Sequence, residues 1–503
     1  MIAMLQSNSA DALTDQLSQL TGDVWQLAPE LSLVVSMLLL LGYDLLFKKH
    51  KEIGLAAIAF CGLFATGVVL SVQWTQFDSS QLLMNNLLRL DQLAIFLKLL
   101  FCLGGILGLV IATRKGKGPN LFHSGESLVI LYGLLLGVFL MSMAVNLLMV
   151  YLAIELVSIC SYLLTALLKG KQRSEAALKY LLFGAVASAV MLYGISWLYG
   201  FTGSLDLSNP AFFVALTDIP VLPLSMALIM TLGGFLFKLG AVPFHIWSPD
   251  VYQAAPTSVV AVFSTLPKLA ALVLVFRVFT LLPPVFDWQL VLGVVAIASM
   301  TFGNFSALWQ KDAKRMLAYS SIAHAGFLLL GIIANSSAGQ LSLLFYGAIY
   351  LVMNFGAFLL IKQVEGATGS AAFESFKGLG SRMPYLGVLF VIVMIALTGL
   401  PPTAGFTAKL YVFSAIWEGW QLHEQPIFLW LFIFGLLNTA LALFYYLKIP
   451  YYLFFKTSDQ PVGLNHVQTF NKVWGTIVVL PLLLLFFRSE WLMNVLNNIS
   501  FVL

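Results

Sequence analysis

The stretch Leu228–Thr257, LIMTLGGFLFKLGAVPFHIWSPDVYQAAPT, decides how this chain folds. Its first half continues a membrane span, yet it holds Lys238 inside the apolar run and is interrupted at once by Gly240 and Pro243. A charge at mid-membrane depth costs roughly 2.5–3.5 kcal/mol even on insertion scales. A helix break at that depth frees backbone groups that are tolerated only beside water or inside protein. A second stretch repeats the combination. Leu397–Trp417, LTGLPPTAGFTAKLYVFSAIW, places Lys409 after Pro401, Pro402 and Gly405. Buried lysines beside broken helices point to an ion or proton path.

Composition puts that path in a membrane protein. The chain has 503 residues, 60% hydrophobic and 10% charged, with mean hydropathy +0.94. Such values mean transmembrane helices and exclude a soluble domain. The net charge of +4 is small and spread over loops, so no nucleic-acid-binding face is expected. Cys61, Cys102 and Cys160 stand alone in apolar runs, without CxxC or iron–sulfur spacing, so no redox or metal centre is expected in this chain. Forty Phe and eleven Trp suit lipid-facing surface and interfacial belts. Residues 1–26 lack Lys and Arg and hold Asp11, Asp15 and Asp23, so they read as a polar lead rather than a signal peptide.

A window of roughly 19–20 residues predicts an all-α membrane protein with about fourteen spans. They fall near 27–47, 53–73, 92–113, 126–144, 146–168, 175–200, 222–242, 257–282, 288–308, 314–334, 339–363, 384–420 (broken), 426–448 and 472–490. Basic clusters occupy alternate loops: Lys48-Lys49-His50-Lys51, Arg114 to Lys117, Lys169 to Arg173, Lys311 to Arg315, Lys377 with Arg382, and Lys448 to Lys472. The loops between, 74–88, 201–221, 283–287, 335–338 and 421–425, are poor in Lys and Arg. The positive-inside rule then predicts cytoplasmic basic loops and both termini outside. Lys238 falls in the seventh span and Lys409 in the twelfth. Spans four to eight and nine to thirteen form two sets of five, and an odd number inverts the second set. Two inverted five-helix repeats with broken helices 7 and 12 are a transporter architecture. The predicted organisation is a lead and three spans over 1–125, a first half-channel repeat over 126–282, a second over 288–450, and a loop with the last span over 451–503.

Other polar residues fall inside predicted spans. Glu155 sits midway in Leu147–Leu164, LLMVYLAIELVSICSYLL, as an ion-pair partner for Lys238. Burial disfavours the charged form of both groups and pairing favours it, so such a pair can switch with its geometry. Lys268 follows Pro267 near the middle of the eighth span, and His324 lies in the tenth, one turn after Ser320. His245 follows Pro243. Histidines can relay protons near neutral pH. Lys179 reads either as half of an ordinary i,i+4 pair with Glu175 or as a point of proton uptake. Asp91 and Lys98 read as snorkelling or paired, Arg277 as a packing or subunit contact, and Lys314 and Arg315 as topology-setting. No Walker loop, dinucleotide fingerprint or Ser-His-Asp set is present.

Three segments carry a family resemblance: Phe237–Lys268, FKLGAVPFHIWSPDVYQAAPTSVVAVFSTLPK; Gln310–Gly326, QKDAKRMLAYSSIAHAG; and Gly399–Leu410, GLPPTAGFTAKL. Over roughly 90–450 the chain resembles the proton-conducting antiporter-like membrane subunits of respiratory complex I, NADH-quinone oxidoreductase. The form Pro249–Pro256, PDVYQAAP, is similar to the subunit N type, including its cyanobacterial and plastid counterpart, rather than to subunits L or M. One departure is Ala408, where many relatives carry glycine before the lysine.

The resemblance implies a multi-pass subunit of a bacterial inner membrane, a proton translocase by virtue of its complex. It would sit among other membrane-arm subunits, both antiporter-like and small. NAD, FMN, Fe–S centres and quinone would be held by other subunits and no cofactor by this one. It also implies Glu155 and Lys238 as a switching pair, Lys268 as the connecting residue, and Lys409 as the terminal lysine of the second half-channel. His245 and His324 take polar-axis positions. Two alternatives stay open: a subunit of a cation/proton antiporter, and a non-pumping membrane-arm scaffold. A lipid-modifying enzyme is disfavoured by the lack of a nucleophile and base pair.

Overall fold

The computed structural model describes residues 22–47, 51–77, 79–113, 124–167, 170–282, 286–457 and 469–499. Most of the N-terminal lead lies outside these residues. So do Lys48, Lys49, His50, Arg114, Lys115, Lys117, Lys169 and the loop 458–468.

Helices α1 (Ala28–Leu46) and α2 (Lys51–Gln76) open the chain. A short hairpin follows, β1 (Gln81–Leu83) and β2 (Leu88–Leu90), turning through Met84, Asn85 and Asn86 at positive φ. Then come α3 (Gln92–Ala112), α4 (Gly125–Met143), α5 (Leu147–Ala166), α6 (Lys171–Thr202), the short α7 (Pro210–Thr217) and α8 (Val221–Leu239). The middle is α9 (Trp247–Ala254), α10 (Thr257–Phe263), α11 (Leu266–Phe279), α12 (Trp288–Leu308), α13 (Ala313–Ile333) and α14 (Ser337–Thr368). A 3-10 turn and α15 (Leu379–Arg382) lead to α16 (Pro384–Thr398), α17 (Ala404–His423), α18 (Pro426–Tyr446), α19 (Lys448–Phe454), α20 (Thr469–Phe487) and α21 (Glu490–Leu496). Short polar side chains start several spans. Asp91, Asn146, Asp312 and Ser336 each accept a backbone N–H of the first turn, filling donors that have no intrahelical partner.

Twelve spans among the described residues are long and apolar enough to cross a membrane, counting α10–α11 and α18–α19 as one each. The pair α20–α21, bent by 87°, makes a thirteenth. The stretch 384–420 forms the shorter α16 and the 20-residue α17 on either side of a break. Three features depart from the sequence reading. The loop 74–88 holds the β-hairpin, and the final span bends at its end. The eighth span, read as continuous, is interrupted at Ser264–Thr265. Pro267 has no N–H to extend the ladder there, so it begins a new helix instead.

The helices differ sharply in what covers them. The α10–α11 span, α13 and α14 are almost wholly buried and form a spine. On α1, α2 and α18–α19, under a third of the most apolar stretch is covered, which leaves leucine and phenylalanine facing outward as lipid would require. Lipid is as apolar as leucine, so close backbone packing must hold such a bundle together. Where α12 crosses α13, a Cβ on Gly303 or Gly326 would meet backbone of the other helix at 2.7 Å.

Two buried ion pairs hold the first spans, one to this bundle and one to each other. Arg277 on α11 reaches Asp91 at 2.7 Å and the Ser142 carbonyl at 3.2 Å. Lys98 on α3 touches Glu30 on α1 at 2.6 Å, at angles outside hydrogen-bond geometry. Asp91 and Lys98 are thus paired rather than snorkelling, and Arg277 is an internal packing contact. Removing one partner of a buried pair strands the other charge, at a cost of about 3–5 kcal/mol.

Candidate functional site

At each break the helix stops at a left-handed glycine: α8, which carries Lys238, and α16, after which α17 carries Lys409. The helix α8 ends at Gly240 (φ 62°), where the Gly240 and Ala241 N–H groups donate to Phe237 and Leu236 at 3.0 Å. The helix α16 ends at Gly399 (φ 84°), where Leu400 N–H donates to Ile395 at 3.2 Å in the same 6→1 pattern. Glycine is the residue that adopts this conformation without a Cβ penalty. A cis proline follows each one, Pro243 and Pro402. At the second break α17 packs straight back on α16, and a Cβ on Gly405 would stand 1.9 Å from the Ala396 carbonyl oxygen. The break forms with Ala408 in place, buried one residue before the lysine.

The cations sit differently at the two breaks. Lys409 donates to the Thr398 carbonyl at 2.8 Å and to Thr439 Oγ1 at 3.3 Å, with its ammonium 4.3 Å from the Phe327 ring centroid. It therefore seals the carbonyl that the break exposes. At the first break the Trp247 indole N–H donates to the Phe237 carbonyl at 3.2 Å, and Ser299 Oγ accepts the Val242 N–H at 3.0 Å. Lys238 is buried with no hydrogen-bond partner for its ammonium among the described residues. Glu155 is half-buried and its Oε1 likewise has none. The two charges act on each other, but no ion pair within 4.0 Å joins them in this conformation.

Between the breaks lies a buried polar chain along the spine. Lys268 Nζ stands over the first break, 3.4 Å from where a Gly240 Cβ would be, and donates to the Ser321 carbonyl at 3.2 Å. Ser321 Oγ shares a hydrogen bond with Tyr350 at 2.8 Å, and Tyr350 donates to the Ser264 carbonyl exposed by the break in the eighth span. One turn along α13, His324 uses both ring nitrogens. Nδ1 meets the Tyr346 hydroxyl at 2.8 Å and Nε2 the Tyr446 hydroxyl at 3.0 Å. Tyr446 also shares a hydrogen bond with Ser320 at 2.5 Å. His324 lies within electrostatic reach of both Lys268 and Lys409. An open, largely apolar cleft of about 630 Å³ adjoins Lys409, lined also by Phe406, Trp417, Glu418, Gln421 and Thr439.

Two sequence-predicted residues lie off this chain. The His245 ring packs on Phe302 at 4.5 Å between centroids, and its Nδ1 finds no hydrogen-bond partner among the described residues. Lys179 pairs with Glu175 at 2.9 Å and with Asp250 at 3.1 Å. Asp250 also binds Arg315 at 2.7 Å, making a three-element ionic cluster at the basic end of the bundle. Burial alone would raise the Asp250 carboxyl, but the hydrogen bonds from Lys179 and Arg315 prevail and hold it below the usual carboxylate value. A polar notch of about 190 Å³ opens on Lys179 and Asp250.

The sequence reading missed the tyrosines. Tyr346, Tyr350 and Tyr446 carry no charge to mark them in the sequence, yet each is fully buried and its hydroxyl bonds to Ser321 or His324. A local signal existed for Tyr346 and Tyr350, which lie one turn apart on the most buried face of α14. The nearby pair Asn304–Asn438, joined at 3.0 Å, is a second buried polar contact. Among the described residues no group of three or more His, Cys, Asp or Glu side chains could hold a metal ion.

Comparison with known proteins fits this architecture. The sequence model of a family described as "NADH:quinone oxidoreductase/Mrp antiporter, TM" matches residues 144–440. A subunit N 2 of NADH-quinone oxidoreductase from Chloroherpeton thalassium is 37% identical, covering 91% of this chain and 90% of that protein. A subunit N from an Anaeromyxobacter species is 39% identical, covering 84% of this chain and 85% of its own. Among solved structures, a chain of respiratory complex I from Thermus thermophilus superposes with a TM-score of 0.78 at 28% identity, over 94% of this chain and 100% of that one.

Proposed function

The chain belongs to the NADH:quinone oxidoreductase/Mrp antiporter family, among the subunit N proteins, and from that premise we propose that it is a proton-translocating membrane-arm subunit of a bacterial complex I. Its partners are the other antiporter-like and small membrane subunits of that arm. NAD, FMN, Fe–S centres and quinone belong to other subunits, and the driving energy comes from quinone reduction there. The basic end of the bundle faces the cytoplasm, and both termini lie on the outer side of the inner membrane. Residues 126–282 and 288–450 act as inverted half-channels.

One observation carries this reading: buried polar groups lie along α13 and α14 between the two helix breaks, hydrogen-bonded in two clusters around Ser321 and His324. In a dry interior, like charges on Lys238, Lys268 and Lys409 repel strongly, so adding a proton at one makes the next costlier to keep charged. Glu155 offsets that cost for Lys238. When a neighbouring subunit draws Glu155 away, Lys238 passes its proton towards Lys268. His324, flanked by two phenols, relays it to Lys409, from which it leaves by the adjoining cleft. His245 contributes a titratable ring beside the first break, and Lys179 feeds protons in from the basic end. Lys238→Ala in the assembled complex should sharply lower the protons pumped per NADH oxidised, and an unchanged stoichiometry overturns the mechanism.

The family description also names antiporters. That second reading predicts Na⁺- or K⁺-dependent proton flux from this chain in vesicles without NADH or quinone. A scaffold role predicts that Glu155→Gln leaves pumping intact.

A further inference from the structure

The basic end of the bundle holds a second site. The start of α6, the α9–α10 corner, α13 and the end of α14 leave a cleft of about 440 Å³. Four cations line it, Lys171, Arg173, Lys314 and Lys362, against one carboxylate, Glu365. That carboxylate is already engaged, by Thr257 Oγ1 at 2.5 Å and by Lys314 at 3.4 Å. Backbone carbonyls hold two of the cations in place: Lys314 donates to Ala255 at 2.9 Å and Arg173 to Ala254 at 3.3 Å. Lys362 is partly buried and has neither a hydrogen bond nor an ion pair within 4.0 Å among the described residues; Glu365 attracts it, and Lys314 and Arg173 press on it with like charge. The long helix α6 begins in the same cleft, at Gly170, with no side chain capping its free N–H groups. Anchored cations and an open helix N-terminus around a polar space fit an oxyanion with several acceptor oxygens.

The depth of the cleft identifies the source of that anion. On α6, Leu178, Leu181 and Leu182 are exposed as lipid-facing side chains. They start seven residues after Lys171, roughly 10 Å along the helix axis. The cleft therefore lies at headgroup level, where basic pockets between spans meet anionic lipid.

We propose that this cleft binds a phosphate-bearing anion, the headgroup of an anionic phospholipid of the surrounding leaflet. The test uses the whole complex, delipidated in detergent and then titrated with phosphatidylglycerol, with phosphatidylcholine or with inorganic phosphate. Lipid retained by this subunit is read by native mass spectrometry, and folding by Tm. Wild type should retain phosphatidylglycerol and not phosphatidylcholine. Lys362→Gln with Arg173→Gln should weaken retention about tenfold, the loss of charge-assisted hydrogen bonds to one anion. Lys171→Gln, an exposed position that does not endanger folding, should weaken it about two- to fivefold. Phosphate that stabilises wild type but not these variants, with equal lipid retention throughout, overturns the lipid source and keeps the anion site. Equal retention and no phosphate response in every variant overturn the site. Loss of a neighbouring subunit from the double variant, in place of a lipid, overturns it too by assigning the cations to an acidic protein segment.

Discussion

After Leu239 the chain turns through Gly240 and Pro243; after Thr398 it turns through Gly399 and Pro402, with the same 6→1 backbone bond at each. Then the two regions diverge. The Phe237 carbonyl of the first break is met by the Gly240 N–H and by a neutral indole, Trp247, and Lys238 stands, among the described residues, without a hydrogen bond near a carboxylate it does not touch. The exposed carbonyl of the second is met by Lys409 itself. One break separates the structural donor from the cation, and the other makes them the same group. A proton site beside a sealed break can be emptied or deleted without unsealing it, whereas at the second break charge and structure are linked.

The sharpest way to break that comparison is to remove each lysine. Lys409→Met should abolish pumping and also lower stability by about 1–3 kcal/mol, because the Thr398 carbonyl is left buried and unpaired. Lys238→Met should abolish pumping but leave Tm equal or higher, since it removes a buried ammonium that has no hydrogen bond to lose. Thermal unfolding of the two purified complexes decides this, and equal losses of Tm would show the breaks to be equivalent.

A second contrast lies in the turning glycines. Gly399→Ala should cost about 1–2 kcal/mol for a left-handed alanine and more for steric overlap, because its Cβ would stand 2.6 Å from Lys409 Cδ. Gly240→Ala bears the conformational cost with only a 3.4 Å contact to Lys268 Nζ. The first variant should therefore lose pumping along with stability, and the second should mainly lose stability, as proton flux and Tm measured together would show.

The link between the breaks is open to a milder change. Tyr446→Phe removes the hydroxyl shared by His324 and Ser320 while preserving the ring. Each of the two buried hydrogen bonds lost costs about 1 kcal/mol, so Tm should fall modestly while pumping slows severalfold. An unchanged pumping rate would cut Tyr446 out of the path.

The smallest effect belongs to the short helix α9, which follows the first break and has no equivalent after the second. Its Asp250 is held by Lys179 and Arg315. A carboxyl lowered in the folded state adds stability above its ordinary value of 3.8 and loses it as pH falls through the folded value. At neutral pH Asp250→Asn should lower Tm slightly, and the gap from wild type should close as the pH falls below 3.8. A gap that persists in acid would show that the cluster does not act through charge.

Much of this architecture was legible along the chain. Apolar runs mark the spans, and the pairings of glycine and proline with lysine mark both breaks. Lys268 and His324 were found because a charge or imidazole in an apolar run is rare. The tyrosine hydroxyls escaped notice because phenylalanine and tyrosine look alike to hydropathy, and Tyr446 lies 122 residues from the histidine it meets. Arg277 and Asp91 are separated by 186 residues, so nothing local identified them as partners.

By itself, then, the sequence determined where helices run, where they stop and which side chains carry buried charge, because periodicity, hydropathy and the conformations open to glycine and proline act over a few residues. Tertiary structure alone decided which of those charges are satisfied. Lys409 lies against the carbonyl its own break exposes, Lys238 stands apart from Glu155, and His324 is gripped by tyrosines from two other helices. Hydrogen bonds act over about 3 Å, and only packing brings groups so distant in sequence within that range.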